Sequence, residues 1–270
     1  MGTLILFHAH PDDEAIATGG TAARAAAEGH RVVLVVATGG EHGEVPADLA
    51  PGETLADRRR VETDRSAAAL GIHRVAFLGY EDSGMTGWEQ NANGGSFHQA
   101  PLDEAAERLA AILREESADV LTVYDWHGGY GHPDHIQVHR VGHRAAELAG
   151  VARLYEATMN RDEMVRFIEL ARSNGVDVGD GAGEGDTFDP SGPMDDGNPM
   201  GTPEAELTTR VDVAAYLDRK REALRAHRSQ ITDVSLFETM PDEAFAQAFG
   251  TEWYIRVGAP AGVHEDWLFG

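Results

Sequence analysis

Two stretches of this chain crowd together side chains able to do chemistry. The first, His8-Ala9-His10-Pro11-Asp12-Asp13-Glu14, sets two histidines and three carboxylates in seven positions. The second, Asp125 to His135, ends in His132-Pro133-Asp134-His135. The chain has no cysteine, so any metal must be held by His, Asp, Glu, backbone or water. Catalytic zinc commonly takes three protein ligands and leaves one position for water. His10 and Asp13 sit three apart and can face one ion if the chain turns after a strand; His135 is the expected third ligand. Two histidines and a carboxylate suit Zn²⁺, and the same set serves Fe²⁺. Such an ion lowers the pKa of a bound water toward about 7. A general base must then stand beside that water without being a ligand, and Asp12 is placed for this. His132 would donate a proton or stabilise a developing oxyanion, and Asp134 would orient His132 or a metal-bound histidine.

These clusters need a scaffold, and the hydrophobic pattern supplies one. Residues 3–8 and 32–36 are short apolar runs, the second uniformly β-branched or Leu, as in a strand buried on both faces. Between them, residues 14–28 predict one Ala-rich helix that stops at Gly29. Further helices are expected over 54–70, 101–116, 134–149, 161–173, 213–228 and near 241–248. Further strands are expected over 74–78, 119–124, 153–158, 206–211 and near 252–257. This alternation predicts an α/β, Rossmann-like, doubly wound and mostly parallel sheet with helices on both faces. Ligands bind outside the carboxyl ends of such strands, so the metal site belongs there. Both clusters follow predicted strands directly. Residues 1–270 read as a single domain. The Gly/Asp-rich stretch 174–205 reads as a flexible loop, because its acids lack the spacing and terminal Glu of a calcium loop.

The formal net charge of −24 argues against nucleic acid and anionic membrane surfaces as partners. No apolar run approaches the roughly 20 residues of a membrane span, and no signal peptide opens the chain, so a cytoplasmic protein is expected. Nothing in the sequence decides between a monomer and a homo-oligomer.

The order HAHPDDE then GGYGHPDH resembles the LmbE/PIG-L-like zinc N-deacetylase family. Thr38-Gly39-Gly40-Glu41, Arg59-Arg60-Val61-Glu62, Asp82-Ser83-Gly84-Met85 and the stretch KREALRAHRSQ (220–230) extend the likeness over most of residues 3–235. The resemblance implies His10, Asp13 and His135 as zinc ligands, Asp12 as general base and His132 as electrostatic or acid partner. It implies that Tyr130 reaches the substrate carbonyl, and that Arg59 and Asp82 contact sugar or inositol hydroxyls. The implied reaction removes an N-acetyl or other N-acyl group from an amino-sugar-containing small molecule such as GlcNAc-inositol. Alternatives are a mycothiol-conjugate-type amidase, a natural-product-tailoring N-deacylase, or a non-catalytic metal-binding scaffold; the complete set of ligands and base argues against the last.

Other candidates read as structural. His30, His73, His98, His227 and His264 are expected to be packed or exposed. His139 and His143 continue from His135 at helical spacing, but the helix carries them away from the ion. His8 is expected to be a packed or supporting histidine. Glu14 reads first as a helix-start acid and second as a partner that supports the site residues, and Gly128-Gly129 as loop conformation only.

Overall fold

The computed structural model describes residues 1–173, 188–194, 196–230 and 240–270. One seven-stranded sheet carries the fold, in the order β3-β2-β1-β4-β5-β7-β6. β1 (Thr3–His8) lies between β2 (Arg31–Thr38) and β4 (Val120–Tyr124), parallel to both. β3 (Arg74–Tyr80) and β5 (Arg153–Thr158) extend the parallel part on either side. β7 (Thr251–Arg256) runs antiparallel to β5, and β6 (Thr209–Asp212) closes the edge antiparallel to β7. The mostly parallel sheet expected from the alternating pattern is therefore present.

Strand residues alternate between two packed layers, which explains why β1 and β2 are apolar throughout. Ile5, Phe7, Val33, Val35, Leu121 and Val123 face α4 (Leu102–Glu115) and α5 (Pro133–Ala149). Leu4, Leu6, Val32, Leu34 and Val36 face the other side, with α1 (Asp13–Ala17), α2 (Gly19–Ala27) and α7 (Leu217–Ala226). Two further helices, α3 (Leu55–Leu70) and α6 (Arg161–Ser173), follow β2 and β5, and α8 (Asp242–Phe249) precedes β7. Among the described residues no helix is long and apolar enough to cross a membrane.

Local chemistry accounts for the boundaries. Thr54 and Asp57 form a reciprocal capping box at the start of α3, and Gly71 ends it at φ 77°. The helix expected over 14–28 is instead two helices, broken at Thr18 (φ −137°). Thr18 turns its hydroxyl to the His8 ring at 2.8 Å. The Glu252 carboxylate accepts from Gly20 N and Thr21 N at 2.8 and 2.7 Å and caps the second helix. A side chain on Gly20 would collide with Val213, so glycine lets α2 pack closely at this point. The helix expected over 213–228 also opens late: Ala214–Tyr216 is a 3-10 turn and α7 runs from Leu217 to Ala226.

In the stretch 174–205, residues 174–187 and 195 lie outside the described residues. The remainder is tied to the body of the fold. Gly201 N donates to Gly129 O, and Arg161 donates to the carbonyls of Pro199, Met200 and Gly201.

Candidate metal centre

The sheet order reverses direction of build between β1 and β4, which is where a crevice opens at the carboxyl ends of parallel strands. The His8–Glu14 cluster leaves β1 there. The Trp126–His135 loop leaves β4 beside it. Pro133 opens α5, and His132 caps it by accepting Asp134 N on Nδ1 at 3.1 Å. Gly128 and Gly129 adopt φ 69° and 80°, as their expected loop role requires. A side chain on Gly128 would also collide with the Cβ of His135.

His10, Asp13 and His135 meet in this crevice. His10 Nδ1 and His135 Nε2 each lie 3.5 Å from Asp13, on Oδ2 and Oδ1 respectively. The opposite ring nitrogen of each histidine is held from behind. His135 Nδ1 lies 3.2 Å from Gly128 O. His10 Nε2 lies 3.3 Å from Asp134 Oδ2 and 3.5 Å from Asp82 Oδ1. This is how metal-binding histidines are commonly oriented. His135 Nε2 is buried with no hydrogen-bond partner. These two ring nitrogens and the Asp13 carboxylate thus converge, and the donor set fits a divalent ion such as zinc or iron. His132 also belongs to the cluster: His10, His132 and His135 each bring one ring nitrogen within 4.8 Å of the others.

The electrostatics make the same demand for a cation. Burial opposes a charge on His10, yet hydrogen bonds to Asp13, Asp134 and Asp82 hold its pKa well above the ordinary value. Burial likewise opposes ionisation of Asp13, but His135 and His10 hold it well below the carboxylate range. Asp82 is lowered in the same way: burial resists, and His10 with the amides of Gly84 and His42 prevails. Three carboxylates, of Asp13, Asp82 and Asp134, therefore surround one imidazole, an arrangement that a divalent ion would neutralise.

Asp12 stands beside this group in a backbone conformation rare for a non-glycine residue, φ 96°. Such a conformation costs about 1–3 kcal/mol and persists only where the surroundings impose it. They do so here. Arg59 Nη2 donates to Asp12 Oδ2 at 3.0 Å and to Pro11 O, and Arg59 Nη1 donates to Gly40 O. Asp12 N donates to Glu14 Oε2 at 3.1 Å. Burial raises the Asp12 carboxyl to about 6, against the opposing pull of Arg59. His132 is pushed down to about 3, first by burial and then by His10 and His135. Its proton sits on Nε2, since Nδ1 accepts from Asp134 N. Tyr130 packs edge-on to His135 at 5.0 Å, and burial next to Asp13 keeps its phenol protonated.

Arg59 and Asp82 are only 4% and 5% exposed and turn toward protein groups, Arg59 to Asp12 and Asp82 to His10. Asp134 reaches His10 rather than the His132 ring, and is itself fixed by Ser83 through its amide and hydroxyl. Glu14 sits in the first turn of α1, as expected, and also supports its neighbours. It is fully buried, and its carboxylate accepts from Asp12 N and Ser66 Oγ and pairs with His227 Nε2 at 2.7 Å. His227 is equally buried, so α7 reaches the support of Asp12 through it. Burial opposes both charges, yet the pair raises His227 and lowers Glu14. His8 behaves as expected: its ring bridges Tyr124 OH at 2.7 Å and Thr18. Tyr124 in turn stacks on His135 at 4.4 Å.

A cavity of about 440 Å³ is lined by Asp13, Tyr130 and His135 together with a mostly apolar surface that includes Ile16, Met159, Met164, Phe167, Phe249 and Trp253.

Comparison with known proteins fits this arrangement. A 1D-myo-inositol 2-acetamido-2-deoxy-alpha-D-glucopyranoside deacetylase from Acidothermus cellulolyticus is 42% identical over 272 residues, covering 96% of this chain and 90% of the relative. Among solved structures, the N,N'-diacetylchitobiose deacetylase of Pyrococcus horikoshii aligns at TM-score 0.56 and 23% identity, over 95% of this chain and 84% of that one. A 4-carboxy-2-hydroxymuconate hydratase from Pseudomonas putida aligns as well, at TM-score 0.57 and 16% identity over 98% and 99% of the two chains. The shared fold alone therefore does not select a reaction. Residues 5–146, which include both clusters, match the family described as PIG-L, GlcNAc-PI de-N-acetylase, and the chain belongs to that family.

Proposed function

We propose that the protein is a metal-dependent N-deacetylase acting on an amino-sugar-containing small molecule, with GlcNAc-inositol as the first substrate to test and zinc as the ion. The observation that carries this reading is the convergence of His10 Nδ1, Asp13 and His135 Nε2, with Asp12 beside them and outside the ligand set. The relative from Acidothermus cellulolyticus supports the substrate class.

When bound, the ion supplies Lewis-acid chemistry: it acidifies a water and polarises an acyl oxygen. The chain's own groups do the rest. Asp12, ionised above about pH 6, accepts the proton of the attacking water. His132 Nε2–H and the Tyr130 phenol donate hydrogen bonds to the acyl oxygen as negative charge develops on it. His132 is neutral at working pH, so it serves as a hydrogen-bond donor, and Asp12 returns its proton to the leaving amine. Arg59 and Glu14 hold Asp12 in its strained conformation, while Asp134 and Asp82 hold His10.

The mostly apolar lining of the cavity favours a second reading, an amide whose other portion carries an apolar group, as in an amidase of larger conjugates or a tailoring deacylase. Acetate release from GlcNAc-inositol, compared with free GlcNAc and with N-acyl glucosamines bearing apolar groups, separates the two. Preference for GlcNAc-inositol supports the first reading. Preference for the apolar amides with GlcNAc-inositol inert would replace it with the second.

A further inference from the structure

His139 and His143 do not join the first cluster, and the structure gives them a partner of their own. They stand one turn apart on α5, with ring centroids 4.2 Å apart. Glu156 projects from β5 between them: Oε1 lies 2.8 Å from His143 Nε2 and 3.4 Å from His139 Nδ1. One donor atom from each residue lies within 4.8 Å of the other two. We propose that His139, His143 and Glu156 form a second divalent-cation site, separate from the one at His10, Asp13 and His135.

Geometry supports this first. Metal–ligand bonds of 2.0–2.1 Å at tetrahedral angles set neighbouring donors about 3.3 Å apart. The His139–Glu156 separation already matches, and the His143–Glu156 contact has to open by only about half an ångström on that basis. Two histidines four apart on one helix face are also a recurrent chelating pair. Charge supports it next. Among the described residues, Glu156 forms ion pairs with these two imidazoles. Access is open, since the side chains of His139, His143 and Glu156 are 19%, 30% and 13% exposed and leave room for water as a fourth ligand. Two imidazoles and one carboxylate select a borderline divalent ion such as Zn²⁺, Ni²⁺ or Co²⁺ over Ca²⁺ or Mg²⁺.

No ligand is shared between the two centres. Tyr124 stands between them, its ring on His135 and its carbonyl accepting from His139 Nδ1 at 3.1 Å. A cation taking that nitrogen displaces its proton and this hydrogen bond.

Zinc content settles the proposal. The full chain is stripped with chelator, reloaded in a zinc-buffered solution and analysed for metal per chain. Wild type should hold two zinc ions. His143→Ala and Glu156→Gln should each hold one, with acetate release unchanged. His135→Ala should also drop to one, but without activity. A wild type that saturates at one ion, or a His143→Ala/Glu156→Gln pair that still holds two, overturns the second site. Should His135→Ala keep two ions while His143→Ala loses one, the reading of the first centre fails and this one stands.

Discussion

At the residue scale the proposed chemistry turns on Asp12, and its surroundings set the conditions for it. Its carboxyl ordinarily titrates near 3.8, and burial raises it to about 6 against the pull of Arg59. The base is active when ionised, so kcat/KM should fall as pH drops through about 6. Arg59 favours the ionised form, so Arg59→Gln should move this acidic limb to higher pH; an unmoved limb would separate Arg59 from the base. Asp12→Asn keeps the shape and the bond to Arg59 but cannot accept a proton. It should retain bound metal and lose about 10²–10⁴-fold in turnover, read by metal analysis beside acetate release. The residues nearest each other in sequence were the legible ones. His10, Asp12 and Asp13 lie on one turn, and His132, Asp134 and His135 on another, at spacings that chemistry explains. Glu14 and His227 were not legible, because their pairing joins positions 213 residues apart and burial of a charge leaves no periodic trace.

At the scale of elements, the strands were readable because β-branched runs bounded by glycine admit few other structures. The break between α1 and α2 was less so, although Gly19-Gly20 marks it. What decides it is Glu252, which comes from β7 to cap α2 and pairs with the buried Lys220 of α7 at 2.6 Å. One carboxylate thus fastens the last strand to two helices on one face of the sheet. Glu252→Ala would leave the Lys220 ammonium without its counter-charge and two helix amides without their acceptor. It should cost about 3–5 kcal/mol, seen as a lowered denaturation midpoint at unchanged slope. A midpoint equal to wild type would mean that water replaces Glu252 at no cost.

The whole molecule brings together what the sequence holds apart. The parallel order β3-β2-β1-β4-β5 places the ends of β1 and β4 side by side, although the strands are more than 100 residues apart. The alternation of strands and helices announced a parallel sheet and a site at its carboxyl edge, but not which strands would be neighbours, since strand order depends on contacts between distant layers. The formal charge of −24 opposes the close approach of polyanions. The central claim, that a metal held by His10, Asp13 and His135 serves deacetylation with Asp12 as base, is tested most directly by one paired measurement. Acetate release from GlcNAc-inositol is followed for stripped and zinc-reloaded protein, wild type and Asp12→Asn side by side, with metal content recorded for each. The account predicts release by reloaded wild type alone, with Asp12→Asn carrying the ion and remaining nearly inactive. Undiminished release by the stripped wild-type protein, or by Asp12→Asn, would contradict it.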